Sequence, residues 1–220
     1  MSFGGLNTLF KAAAAAISFP LQQVAAYITH ADFFYRTDMP IIIAHRGTYG
    51  FYPEHAIAGY VEAYYNGADF LEFDVMMTKD ADLVILHDPY LDDTTNIRLH
   101  QDRFWDRSWY FGRSYVPDFT LAELKSLRLT QKYWWRPQNL NDRYVLLTFQ
   151  DVIDVVRLLN NEFPRINNRE RRMGFYIELK DYMWMIDHSG MDMCEVMHRI
   201  LDDNNIGDLA SSSKDIPIVV

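Results

Sequence analysis

IIIAHRGTYGFYPEHAIAGYVEAYYNGADFLEFDVMMTKDADLVILHD (residues 41–88) decides the fold. It holds three apolar runs, each closing on polar groups. IIIAHRG (41–47) ends on His45 and Arg46, FLEFDV (70–75) carries Glu72 and Asp74, and LVILHD (83–88) ends on His87 and Asp88. A fourth run further on, FYIELK (175–180), ends on Glu178 and Lys180. Between the first two runs, Ala56, Gly59 or Tyr60, Ala63 and Tyr64 recur at helical spacing, and Gly67 closes the helix. Strand, helix, strand in this length is a βαβ unit. Apolar strands with polar ends predict an α/β enzyme whose chemistry sits at one rim of a parallel sheet. The triple isoleucine of 41–43 reads as a fully buried parallel strand.

One link breaks the pattern. TKDAD (78–82) is too short for a crossover helix, so it reads as a hairpin or a local extension of a strand pair. Beyond it, residues 89–117 are irregular, aromatic and charged, a long excursion whose Phe104, Trp105, Trp109, Tyr110, Phe111 and Tyr115 argue for packed order. Helices resume at Thr120 with Glu123 and at Thr148 with Asp151, each a capping-box pattern. The stretch 189–207 is a further helix, with Ser189 as its cap and Asp192 as the cap's partner. Pro53 fits the first turn of the helix that carries Glu54 and His55.

Composition narrows the class. The 220 residues are 49% apolar and 15% aromatic, enough for a sizeable core. The net charge of −9 and the lack of a basic stripe argue against nucleic acid. RINNRERRM (165–173) is the one dense basic cluster and reads as a solvated turn. The single cysteine, Cys194, permits no internal disulfide and reads as helix packing. Residues 1–39 form an N-terminal extension, or alternatively a signal or targeting segment; the apolar run from Ala12 to Phe19 is too short to span a bilayer.

The candidate chemistry lies at the strand ends. Glu72 and Asp74 are two apart on a strand and so share a face. Two carboxylates there are costly unless paired or liganded, and a hard divalent cation, Mg²⁺ or Ca²⁺, would neutralise the pair; Glu178 ends another strand in the same sense. Salt bridges from Lys180 to one of the acids are the plain alternative. His45 and His87 are suited to proton transfer near neutral pH. Arg46 offers a charge-assisted clamp for phosphate. Glu54 would orient His45 or Arg46.

The motifs HRG (45–47), PEH (53–55), GADFLEFDV (67–75), TKD (78–80), HD (87–88) and TT (94–95), with FTLAELKSL and YIELK beyond, resemble the glycerophosphodiester phosphodiesterase family over roughly residues 40–206. They are most like its periplasmic and secreted, calcium-using branch. The resemblance implies a TIM barrel of the phospholipase C-like phosphodiesterase type, with strands one to four present and residues 89–117 inserted after strand three. It implies that His45 and His87 are the general acid–base pair and that Glu72, Asp74 and Glu178 hold the metal. Arg46, Lys180 and Glu54 would line the substrate phosphate. The implied reaction is hydrolysis of a small glycerophosphodiester to glycerol 3-phosphate and an alcohol. It also favours an extracytoplasmic location over a cytoplasmic or organellar one.

Two positions depart from the family pattern: Ala81 or Asp82 stands where glycine is common, and Asp93 where arginine usually precedes the threonine pair. An eight-stranded barrel needs about 250 residues. If residues 216–220 begin strand five, the sequence covers about half a barrel. The missing half or a protein partner would then cover the open edge, and the isolated chain would turn over weakly. Two other readings are a lysophospholipase D-type lipid phosphodiesterase, with aromatics 104–115 against an acyl chain, and an inactive structural relic within an assembly.

Overall fold

A computed structural model describes residues 40–107, 109–110, 112–163, 165–166, 169–170, 172–206, 216 and 218–219. In chain order its elements are β1 (Ile43–Ala44), α1 (Ile57–Tyr65), β2 (Phe70–Met77), β3 (Leu83–Ile85), β4 (Trp109–Tyr110), β5 (Arg113–Ser114), α2 (Leu121–Lys125), α3 (Phe149–Glu162), β6 (Arg165–Ile166), β7 (Arg169–Glu170), β8 (Gly174–Leu179), α4 (Tyr182–Ser189), α5 (Met193–Asp203) and β9 (Ile218–Val219). The two readings of residues 1–39, as extension or as signal segment, lie outside the described residues. Among the described residues, no helix is long and apolar enough to cross a membrane.

Among the described residues, β1, β2, β8 and β9 pair in that order, all parallel. This is the α/β, TIM-barrel class of sheet. β2 is buried along all eight residues, as a strand covered on both faces must be. Its two faces differ in chemistry. Leu71, Phe73 and Val75 face the helical layer, where Phe73 meets Phe149 of α3 at 5.7 Å and Phe175 of β8 at 5.4 Å between ring centres. Burying each such ring contributes roughly 2–3 kcal/mol. α3 adds Val152, Ile153, Val156 and Leu159 to the same core. Glu72 and Asp74 point to the opposite face. The register puts Asp74 level with Glu178, so the two share that face.

The TKDAD link is a hairpin. β3 runs antiparallel to β2, with Val75 opposite Ile85 and Met77 opposite Leu83. LVILHD is therefore a flap on the end of β2 rather than the third member of the parallel sheet, a place that β8 takes. Thr78 organises the turn: its hydroxyl donates to Asp80 Oδ1 at 2.7 Å and accepts from the Asp82 amide at 3.0 Å. Ala81 sits in the left-handed region at φ 67°, which explains why glycine suits this turn.

Four further expectations need correction. The isoleucine run is not fully buried: Ile42 and Ile43 are 53% and 41% exposed, because the strand is only two residues long and, among the described residues, pairs on one side, with β2. α1 begins at Ile57 rather than Pro53, because His55 takes a left-handed φ of 62° that no α-helix accommodates. α5 is capped by Asp192, which accepts from the Cys194 amide at 2.8 Å; Ser189 instead closes α4. The basic cluster expected as a plain turn contains the small β6–β7 hairpin. Both expected capping boxes form, Thr120 with Glu123 and Thr148 with Asp151. The excursion after β3 is packed: Phe104 is buried and meets Phe119 at 5.2 Å, though Trp105 remains 78% exposed. Asp93, reversed in charge relative to the expected arginine, forms an ion pair with Arg113 at 3.0 Å.

Candidate active site at the strand ends

Two loops, after β1 and after β3, meet the acidic side chains of β2 and β8 where the parallel strands end. The first follows β1. Arg46 and Gly47 both take positive φ, 54° and 75°, turning the chain back on itself. This aims the Arg46 amide at Glu72 Oε2, which accepts from it at 2.6 Å. A Cβ on Gly47 would lie 2.8 Å from the Tyr60 ring, so the turn has no room for a side chain. The Arg46 guanidinium donates to Glu54 Oε2 at 3.0 Å and lies 3.3 Å from Asp74 Oδ2. Glu54 is buried, so it reaches the site through Arg46. Of the two partners considered for Glu54, the structure brings it to Arg46. His45 projects beside this loop into solvent, with the edge of Tyr49 5.4 Å away.

The second group is carboxylic. One oxygen from each of Glu72, Asp74 and Glu178 lies within 4.8 Å of the others. Asp74 is fully buried, and its Oδ1 has no hydrogen-bond partner. A buried carboxylate oxygen without a donor, facing two further carboxylates, fits a hard divalent cation with oxygen ligands. The electrostatics divide the pair on β2. Burial and then the charge of Asp74 push Glu72 above the usual carboxylate range. Asp74 is lowered: burial opposes its charge, but the His55 hydrogen bond and the positive charges around it prevail. Lys180 also reaches this group, with Nζ 2.6 Å from Glu178 Oε1 and 3.7 Å from Asp74 Oδ1. The lysine bridge and the carboxylate triad, rival readings of the sequence, therefore coexist.

The loop after β1 also brings a residue that sequence reasoning passed over. His55 is fully buried, with Nε2 3.0 Å from Asp74 Oδ2 and Nδ1 2.8 Å from the Tyr60 hydroxyl. An ionised Asp74 accepts from Nε2–H, so Nδ1 accepts from the tyrosine O–H. His55 thereby fixes which way Asp74 presents its remaining oxygen. The left-handed φ at 55 is the backbone counterpart of that role.

The other loop follows β3. The Leu86 amide donates to the Asp74 carbonyl at 3.1 Å, so the hairpin returns the chain to the level of the triad. His87 follows, its Nδ1 2.7 Å from Asp88 Oδ1. Lys132 donates to the other Asp88 oxygen. Burial alone would raise Asp88, yet the bonds from His87 and Lys132 bring it down to about 2. It is a carboxylate throughout the neutral range, holding the His87 ring by Nδ1. His45 behaves differently: partial desolvation, then the neighbouring Arg46 charge, lower its proton affinity. The neutral imidazole is thus the form present near pH 7. His188 pairs with Asp118 at 3.3 Å and stacks on Trp184.

The sequence model of the Glycerophosphoryl diester phosphodiesterase family matches residues 45–205. A glycerophosphodiester phosphodiesterase of Arabidopsis thaliana is 35% identical over 157 residues, covering 68% of this chain and 39% of that protein. The fold is similar to a glycerophosphoryl diester phosphodiesterase of Parabacteroides distasonis, at TM-score 0.54 and 21% identity over 90% of this chain and 51% of that one. It is also similar to an Oleispira antarctica phosphodiesterase solved in complex with the product sn-glycerol-3-phosphate, at TM-score 0.50 and 20% identity over 82% and 56% of the two chains. The chain spans less than half the length of the first curated relatives it matches, 39% and 44%.

Proposed function

The chain belongs to the glycerophosphoryl diester phosphodiesterase family, and from that premise we propose that it hydrolyses a glycerophosphodiester to sn-glycerol 3-phosphate and a free alcohol. The observation that carries this reading is the convergence of Glu72, Asp74 and Glu178 with His45, His87 and Arg46 at the strand ends. The crystallised product complex of the Oleispira protein supports it.

Glu72, Asp74 and Glu178 would hold a divalent cation, Ca²⁺ being the ion proposed and Mg²⁺ the alternative. Such an ion supplies positive charge against the phosphate oxygens and the charge that develops on them. Arg46 and Lys180 add fixed positive charge beside it. Glu54 holds the Arg46 guanidinium in place from beneath.

His45, kept neutral, takes the proton of the attacking oxygen, which belongs either to water or to the substrate's own glycerol hydroxyl. The P–O bond to the alcohol breaks as the new bond to phosphorus forms. His87, its Nδ1 held by Asp88, turns Nε2 to the departing oxygen and protonates it. If water attacks, the proton lost by His87 is replaced from solvent and His45 returns its own. If the glycerol hydroxyl attacks, a second hydrolytic step opens the cyclic phosphate with the two roles exchanged.

The test uses glycerophosphocholine and lysophosphatidylcholine in parallel, with Ca²⁺, Mg²⁺ or chelator, and product read by phosphorus NMR. Glycerol 3-phosphate appearing from the first substrate only, and only with metal, is the expected result. Release of choline from lysophosphatidylcholine instead would support the lipid phosphodiesterase reading. A substrate with a p-nitrophenol leaving group separates the histidines. It needs no acid, so His87→Ala should keep most activity towards it while His45→Ala loses activity on both. The reverse pattern would overturn the assignment.

A further inference from the structure

Gln131–Arg136, the hexapeptide QKYWWR, touches both histidine-bearing loops. At one end, Lys132 bonds to Asp88 Oδ2 while Asp88 Oδ1 is 2.7 Å from His87 Nδ1. With both oxygens engaged, the carboxylate cannot rotate, and its plane sets the plane and tautomer of the imidazole. Both members of this ion pair are largely shielded, their side chains 18% and 8% exposed. At the other end, the Arg136 guanidinium lies 4.2 Å over the Tyr49 ring and 4.6 Å over that of Tyr133. Tyr49 in turn meets His45 edge-on at 5.4 Å. Gln131 anchors the segment to the same loop, donating to the Tyr52 carbonyl at 2.9 Å.

We propose that Lys132 and Arg136 are positioning residues, each orienting one histidine: Lys132 acts on His87 through Asp88, and Arg136 acts on His45 through Tyr49. One short segment thereby fixes the spacing between the two imidazoles. Neither residue touches the substrate in this scheme. Arginine can replace Lys132, since it keeps charge and donors. Lysine cannot replace Arg136, since a point charge on a flexible stem does not reproduce a planar group stacked between two rings.

The proposal rests on the acid–base reading of His45 and His87, so its test includes a measurement that does not need turnover. Long-range proton–nitrogen NMR of the imidazoles in the full chain, assigned with His45→Ala and His87→Ala, reports tautomer and ring environment. Lys132→Met should mix the His87 tautomers and leave the His45 signals in place. Arg136→Met should shift His45 and leave His87 in place. With glycerophosphocholine and Ca²⁺, Lys132→Met should lower kcat on the order of tenfold or more, the scale of a small misplacement of a reacting group. KM should change less than twofold, and Lys132→Arg should restore both readouts. Where the Met variant does not fold, Lys132→Gln, which still donates, gives the same comparison in milder form. An unchanged His87 pattern in either Lys132 variant, equal shifts of both histidines, or no rescue by arginine would overturn the proposal. Absence of turnover by the wild-type chain would count against the phosphodiesterase reading alone, because the ring spectra decide positioning independently.

Discussion

Replacing His55 by alanine should cost the protein about 2.5–5 kcal/mol through its two polar bonds. Its bond to the ionised Asp74 is charge-assisted, worth about 1.5–3 kcal/mol. Its second bond leaves the Tyr60 hydroxyl unpaired in a fully buried site, at about 1–2 kcal/mol. Histidine and alanine bear the left-handed φ of 62° alike, so the backbone adds little to the difference. Asparagine tolerates that backbone and keeps one donor, so His55→Asn should lose only about 1–2 kcal/mol. The assay is urea unfolding at pH 7, with Tyr60→Phe completing a double-mutant cycle. The cycle should show the two changes to be less than additive, because they remove the same bond. Metal affinity, measured by calorimetry, should fall roughly 10- to 100-fold in His55→Ala as Asp74 loses its orienting partner. A loss of stability below 1 kcal/mol together with unchanged metal affinity would refute the reasoning.

Asp88 sets an acid-side limit on stability. Its folded value of about 2, against an ordinary 3.8, means that its contribution is complete above about pH 4 and drains away as pH falls toward 2. Lys132→Met should move that loss to higher pH in an acid titration followed by circular dichroism. Ca²⁺ or Mg²⁺ at a hundred times its dissociation constant should stabilise the chain by about 2.7 kcal/mol, and Glu178→Gln or chelator should remove most of this gain in thermal unfolding. Ala81→Gly should raise stability by about 0.5–1 kcal/mol, because glycine accepts the turn's left-handed φ; an unchanged or lower urea midpoint would contradict this.

Much of the site was legible because strand periodicity is short-ranged. Glu72 and Asp74, two residues apart, had to share a face; that Asp74 lies level with Glu178 is a property of the sheet. The capping boxes and the TKDAD hairpin were legible for the same reason: their partners lie within a few residues. His55 and Lys132 were not. His55 meets Asp74 across 19 residues and Lys132 meets Asp88 across 44, and no local pattern marks such a pairing. A left-handed histidine likewise leaves no trace in helical periodicity, so α1 was expected to start too early. Burial of the isoleucine run depended on how many neighbours β1 has, which is a property of the sheet and not of the segment.

The β2–β3 hairpin makes the length of one pentapeptide a chemical variable. β2 carries two of the three clustered acids and, through its pairing with β3, also sets the height of His87. Gaining or losing a single residue in TKDAD would slip the ladder by one step, about 3.4 Å, and turn His87 to the opposite side of the flap. Change in this loop is therefore quantised: substitutions leave the acids and the histidine in step, and length changes preserve facing only in pairs. The spacing between the acidic cluster and His87 is thus recorded in the chain as a count of residues.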